Sequence, residues 1–166
     1  MNFAFLIKKI EESKEFKDFK KEHKDLYLAV GFFILDYEKN INQQQLDYSL
    51  KNGEVFTFSL ENEAVKMKPA QTIEGSKEQL KKLDKKIKID LEETERKFKE
   101  ELKKQNEKSK ITKIIAVLQE NEGKQIWNLN CMLDGMNLIH AHIDSKTGEI
   151  LKFEKKNMFD FIKKIK

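Results

Sequence analysis

From Gln125 to Ile143 the chain reads QIWNLNCMLDGMNLIHAHI, and apolar residues fall at every second position on both sides of Asp134-Gly135. Trp127, Leu129 and Cys131 share one side of the first run; Ile139, Ala141 and Ile143 share one side of the second. A period of two sends successive side chains to opposite faces of a strand, so each run has one face to bury. Asp-Gly between such runs supplies the left-handed backbone of a tight reversal. The segment specifies a β-hairpin, and a hairpin with one apolar face is stable only when that face is covered.

Residues 45–61 are written the same way. Leu46, Tyr48 and Leu50 alternate before Asn52-Gly53, and Phe56, Phe58 and Leu60 alternate after it. The six apolar positions correspond to those of the later hairpin, and FAFLIKKI near the start echoes FDFIKKI near the end. This predicts an internal duplication, with two related α-plus-β-hairpin halves.

The other segments supply the cover. Residues 3–22 predict helix, with Phe3, Leu6, Ile10, Phe16 and Phe19 on one side and a break at Ser13, a good cap. LYLAVGFFILDY, residues 26–37, fits a helix or a strand; its length and Gly31 favour a buried strand. Ser76 with Gln79 makes a capping box before a short helix that would bury Leu80 and Leu83, and KIKIDL follows as a connector or short strand. Asp90 with Glu93 opens a longer helix along Leu91, Phe98 and Leu102. ITKIIAVLQ predicts another helix, with Ile111, Ile114, Ile115 and Leu118 inward. DSKTGE turns the chain into a strand at ILKFEK, and Asn157 with Asp160 opens a last helix carrying Met158, Phe161, Ile162 and Ile165. The expected fold class is α+β, antiparallel hairpins packed against helices. It divides as 1–75, a charged helical connector 76–110, and 111–166, together one compact domain.

Twelve phenylalanines provide core area under a surface in which 37% of the residues are charged. The 33 basic side chains nearly balance 29 acidic ones, and Arg96 is the sole arginine. Base-specific DNA reading favours arginine's planar fork, so no sequence-specific DNA partner is expected. Cys131 has no partner for an internal disulfide, which fits a reducing compartment. The start, MNFAFLIKKI, carries no basic residue ahead of a very short apolar run, so neither an export signal nor a membrane span is expected and the cytoplasm is the expected location.

At LIHAHIDSKTGEILKFE an alternating strand runs into Ile-Asp-x-x-Thr-Gly-Glu-Ile, carried by Ile143, Asp144, Thr147, Gly148, Glu149 and Ile150. This resembles the end of PepSY domains, propeptide-type modules found with thermolysin-like proteases. The resemblance spans about residues 110–153, with a degenerate echo in the first half. It implies a helix on a small antiparallel sheet, ID-x-x-TG as the last turn, and a protease-inhibiting role; PepSY modules are mostly exported, and here no export signal is expected. The chain as a whole also resembles lysine-rich proteins of small-genome archaea, a likeness that implies no activity.

His140 and His142, two apart, project to one face of their strand, with Asn128 and Asn130 on the same face of the partner strand. Two such imidazoles chelate zinc when a third ligand converges; Asp134, Asp144 and His23 are the options, and the spacing selects none. A polar outer sheet face accounts for the pair, so no metal and no other cofactor is expected. Cys131 falls on the apolar face as an inert core thiol. There is no Gly-rich phosphate loop, zinc knuckle, G-x-S-x-G elbow or metalloprotease helix. Glu92/Glu93 and Glu100/Glu101 sit in charge-rich helix, where glutamate is solvated. The expected function is a non-enzymatic binding or assembly module. Its ligand-binding face comprises Asn128, Asn130, His140 and His142, joined by Asp47, Ser49, Thr57 and Ser59, and its partner is a protein or a second copy. The alternative is an RNA- or ribosome-associated accessory protein working through Lys81, Lys82, Lys85, Lys86, Lys103 and Lys104, with steep salt dependence. A membrane-surface role for the Phe/Ile/Lys-rich ends ranks third, since burial against the sheet is their simpler fate.

Overall fold

The computed structural model describes residues 2–69 and 79–157. The first half runs α1 (Phe3–Glu11), α2 (Lys14–Glu22), then β1 (Tyr27–Asp36), β2 (Ile41–Ser49), β3 (Val55–Glu61) and β4 (Ala64–Pro69). The second runs α3 (Leu91–Lys104), then β5 (Ile111–Asn121), β6 (Lys124–Leu133), β7 (Asn137–Asp144) and β8 (Ile150–Asn157). The strands form one antiparallel sheet in the order β4-β3-β2-β1-β5-β6-β7-β8. Each half is a meander, and the two meanders meet through their first strands, with Gly31 opposite Leu118 and Phe33 opposite Ala116.

Both predicted hairpins form, β2–β3 and β6–β7. The helical reading of residues 3–22 also holds, with its break in place: Ser13 Oγ accepts from Phe16 N at 3.2 Å and donates to Ile10 O at 2.6 Å, ending one helix and capping the next. All three described helices lie on one face of the sheet. Phe3 of α1 meets Phe33 edge-on at 6.4 Å, Phe16 of α2 packs on Tyr48 and Phe58 at 4.9 and 5.2 Å, and Phe98 of α3 packs on Phe153 at 5.7 Å. Each buried phenylalanine contributes about 1.5–3 kcal/mol of transfer free energy. Gly31 permits the close approach of α1, since a Cβ there would stand 3.1 Å from the Phe33 ring and 3.2 Å from the Phe3 ring.

Two predicted helices are corrected. Residues 111–119 belong to β5. Ile114, Ala116 and Leu118 face the helices while Ile115 and Val117 lie half-buried on the other side, so the covering of Trp127 falls to other elements. A central strand with apolar residues on both faces satisfies helical spacing by coincidence, and its β-branched isoleucines and valine favour the extended form. Residues 79–90 form an irregular connector, so the helix predicted to bury Leu80 and Leu83 is absent from the described part; Leu83 is buried and Leu80 exposed. Ser76 and the predicted C-terminal helix (Met158, Phe161, Ile162, Ile165) lie outside the described residues.

The connector is fixed by hydrogen bonds across the end of the sheet. Leu83 N donates to Leu28 O, and Ile89 N donates to Ser145 O. The buried Gln125 amide acts as a surrogate backbone, accepting from Asp84 N at 2.8 Å and donating to Asp84 O at 3.0 Å. Trp127 Nε1 donates to Ile89 O at 2.8 Å. Asp90 then caps α3 by accepting from Leu91 N at 2.8 Å, and both its oxygens also accept from Phe3 N at 3.1 Å. One carboxylate thus serves the first N–H groups of two helices, one of them starting 87 residues before Asp90 in sequence.

Candidate functional site

Opposite the helices, two ladder rows cross the sheet's other face. In one, Gln45, Phe32, Val117, Asn128, His142 and Lys152 stand side by side; in the other, Gln43, Ile34, Ile115, Asn130, His140 and Glu154 do. The centre is apolar and half-buried, formed by Val30, Phe32 and Ile34 of β1 with Ile115 and Val117 of β5. Amide and imidazole groups follow on β6 and β7, and Gln43, Gln45 and Thr57 on β2 and β3. The outer edges are basic: Lys66 and Lys68 on β4 stand near Glu61, which pairs with Lys66 at 2.9 Å, while Lys152 and Lys156 on β8 flank Glu154.

The four predicted binding residues share this face. His140 Nδ1 lies 2.9 Å from Asn130 Oδ1, and the two Nε2 atoms of His140 and His142 lie 2.9 Å apart. With its Nδ1–H given to Asn130, His140 keeps a lone pair on Nε2 and accepts from the Nε2–H of His142. Both imidazoles titrate below their ordinary range. For His140 the causes are partial burial, then His142, Lys152 and Lys156, opposed by Glu154; for His142 they are partial burial and Lys152, opposed by Glu154. The shift favours the neutral form of both rings. Asn128, register partner of His142, has an Oδ1 sealed from solvent that accepts no hydrogen bond from the described residues.

The first-half residues assigned to this face divide. Asp47 accepts from Thr57 Oγ1 at 2.6 Å, and burial raises its carboxyl, with the Thr57 bond opposing. Ser59 presents its hydroxyl toward Glu61. Ser49 is corrected: it is buried and donates to Leu50 O, so it takes no part in the face. None of the proposed third metal ligands joins the histidines. Asp134 Oδ1 accepts from Lys110 N, Asp144 Oδ1 accepts from Lys146 N and Thr147 N, and His23 stacks on Phe19 at 4.3 Å. Among the described residues no three His, Cys, Asp or Glu side chains gather as a metal site.

Cys131 is buried on the covered face beside Ile114 and Ile139, away from His140, and desolvation pushes its thiol up to about 12. Of the paired glutamates, Glu93 and Glu100 are engaged by Arg96. The lysines of the RNA reading lie on two elements, 81–86 on the connector and 103–104 on the last turn of α3. Lys81 faces Glu120 at 3.6 Å and Lys85 pairs with Glu11 at 2.7 Å. The Asp144 turn has the expected geometry: Gly148 takes φ 77° and donates to Asp144 O at 2.8 Å. No described helix is long and apolar enough to cross a membrane.

The apolar centre of the face was not assigned from sequence. Its signal was present in residues 26–37 and 111–119, where apolar residues occupy both alternation phases, as in a strand flanked on both sides.

No protein-family model matches the chain, and no curated protein matches it. A crystal structure of a "putative lipoprotein" from Clostridium difficile 630 superposes with a TM-score of 0.54 at 16% identity, covering 86% of this chain and 90% of that one. At this identity the likeness shows a shared fold and nothing of function.

Proposed function

We propose that the chain is a non-enzymatic binding module whose sheet face opposite the described helices docks a folded protein with an apolar patch rimmed by carboxylates. The observation that carries this is the layout of that face: Phe32, Ile34, Ile115 and Val117 at the centre, neutral Asn128, Asn130, His140 and His142 beside them, and lysine pairs at both edges. Interface cores are depleted in charge and enriched in aromatic residues, with polar rims, and this face follows that order. Nucleic acid needs cations where its phosphates lie, and the centre has none. A second copy packed face to face would set lysine edge against lysine edge, so a carboxylate-rimmed partner is the better complement.

Two finer readings go with this proposal. Duplication of a helix-plus-meander unit is supported by the matching element order of the halves and by the equivalent places of β2–β3 and β6–β7. The PepSY-like reading of the second half is supported by the Asp144–Gly148 turn alone.

A photo-crosslinker placed at residue 32, with one at exposed Arg96 as control, tests the docking. A protein captured from residue 32 alone, then identified, purified and titrated, is expected to bind the native chain with salt-weakened affinity and the Ile115→Glu chain at least a hundredfold more weakly. Equal binding by both chains, capture of RNA, or capture of a second copy would overturn the reading.

A further inference from the structure

We propose that His140 and His142 are an acid-opened latch on the open sheet face, closed by one proton held between their facing Nε2 atoms and opened when a second proton enters that gap. The latch belongs to the free chain and does not depend on the docking reading. Alternation on β7 puts both rings on one face, and their Nε2 atoms stand 2.9 Å apart, the length of an N–H···N hydrogen bond. Such a bond holds one proton: one Nε2 donates and the other offers its lone pair. Asn130 settles which. Its Oδ1 accepts the Nδ1–H of His140 at 2.9 Å, so His140 Nε2 is the acceptor and His142 Nε2 the donor. The first proton taken from water therefore goes to Nδ1 of His142, the one ring lone pair outside the bond, and leaves the bond in place with a charged donor. The second can enter only at His140 Nε2, whose lone pair is the one in the bond. Two N–H groups, each on a cation, would then face each other, and the rings must part. Among the described residues the charged neighbours come from β8: Lys152 and Lys156 oppose a cation on His140, Lys152 opposes one on His142, and Glu154 favours both. Asn128 and Asn130 on β6 are neutral. The flanking strands also hold acceptors for the parted rings. Asn128 Oδ1, sealed without a donor, belongs to the register partner of His142, and Glu154 is the register partner of His140. Residues directly opposite in antiparallel strands have Cβ atoms about 4.5–5.5 Å apart, within reach of a rotated imidazole. Opening turns a neutral patch beside the apolar centre into a dicationic one. Under the docking reading, burying those charges is costly, so acid would release a docked partner.

Imidazole nitrogen resonances of the nitrogen-15-labelled full chain, followed from about pH 8.5 to about pH 4 across the histidine range, test the latch. His23→Ala identifies the third ring. At the alkaline end His140 is expected as the Nδ1–H tautomer and His142 as the Nε2–H tautomer, with scalar coupling between the two Nε2 nitrogens across the bond. On acidification His142 should charge first with the coupling kept. His140 should follow about one pH unit or more lower, as the coupling vanishes. In the His142→Ala chain, His140 should titrate about one pH unit or more higher than in the native chain. Circular dichroism confirms the fold of each chain across the range. The same tautomer on both rings at the alkaline end, or a His140 midpoint that His142→Ala leaves unchanged, would overturn the proposal.

Discussion

Replacing Trp127 with alanine is expected to destabilise the chain by about 3–5 kcal/mol, the usual cost of emptying a large core aromatic site. Trp127 is fully buried at the junction of three parts of the fold. Its ring lies 5.6 Å from that of Phe33 on β1, its strand is the second of the second meander, and its Nε1 holds the connector through Ile89 O. The substitution removes the ring and leaves that carbonyl without its donor, so the loss belongs at the upper end of the range. A loss this large is a major share of the 5–15 kcal/mol typical of a domain. His140→Ala and His142→Ala, on the other face of the same hairpin, should each change stability by less than about 1 kcal/mol. Guanidinium unfolding followed by circular dichroism measures all three. A dispensable Trp127 beside indispensable histidines would mean that the two faces are inverted.

Asp90→Ala is expected to cost about 2–4 kcal/mol, well above the 0.5–2 kcal/mol of an ordinary N-cap. The excess comes from Phe3 N, the second helix start served by the same carboxylate, which would lose its acceptor in a part-buried place. Asp90→Asn keeps one acceptor oxygen and should recover part of the loss. Equilibrium unfolding gives the magnitude, and amide exchange in the first turn of α1 gives the mechanism. Faster exchange there, 87 residues from the substitution, is the expected sign. A loss confined to α3, with α1 unchanged, would reduce Asp90 to a simple cap.

Much of this architecture was legible because it is local. Asn52-Gly53 and Asp134-Gly135 name their own turns, Ser13 and Asp90 name their own caps, and alternation assigns Trp127, Leu129, Ile139 and Ile143 to one face. The same alternation brought Asn128, Asn130, His140 and His142 together. What was not legible depends on neighbours distant in sequence. Ile111, Ile114, Ile115 and Leu118 have helical spacing, and only their position between β1 and β6 makes them a strand. Leu83 is buried without a helix to carry it, because Gln125 and Leu28 supply hydrogen bonds that no local pattern announces. Strand β4 is short and lysine-rich, as edge strands often are, and its turn uses Asn62 and Glu63 at positive φ without a glycine to mark it.

One face of the sheet carries the fold and the other is the one proposed for a partner, and two neighbouring residues of β5 test that division. Ile114 is 1% exposed under the helices, whereas Ile115 is half-buried on the open face. Guanidinium unfolding of Ile114→Glu and Ile115→Glu compares the faces within one strand. Ile114→Glu is expected to lose more than about 3 kcal/mol, the scale of an unpaired charge forced into a core, or to fail to fold, while Ile115→Glu stays within about 1.5 kcal/mol of the native chain. Equal and severe destabilisation by both would show that the chain itself covers the second face, leaving no surface there for a partner.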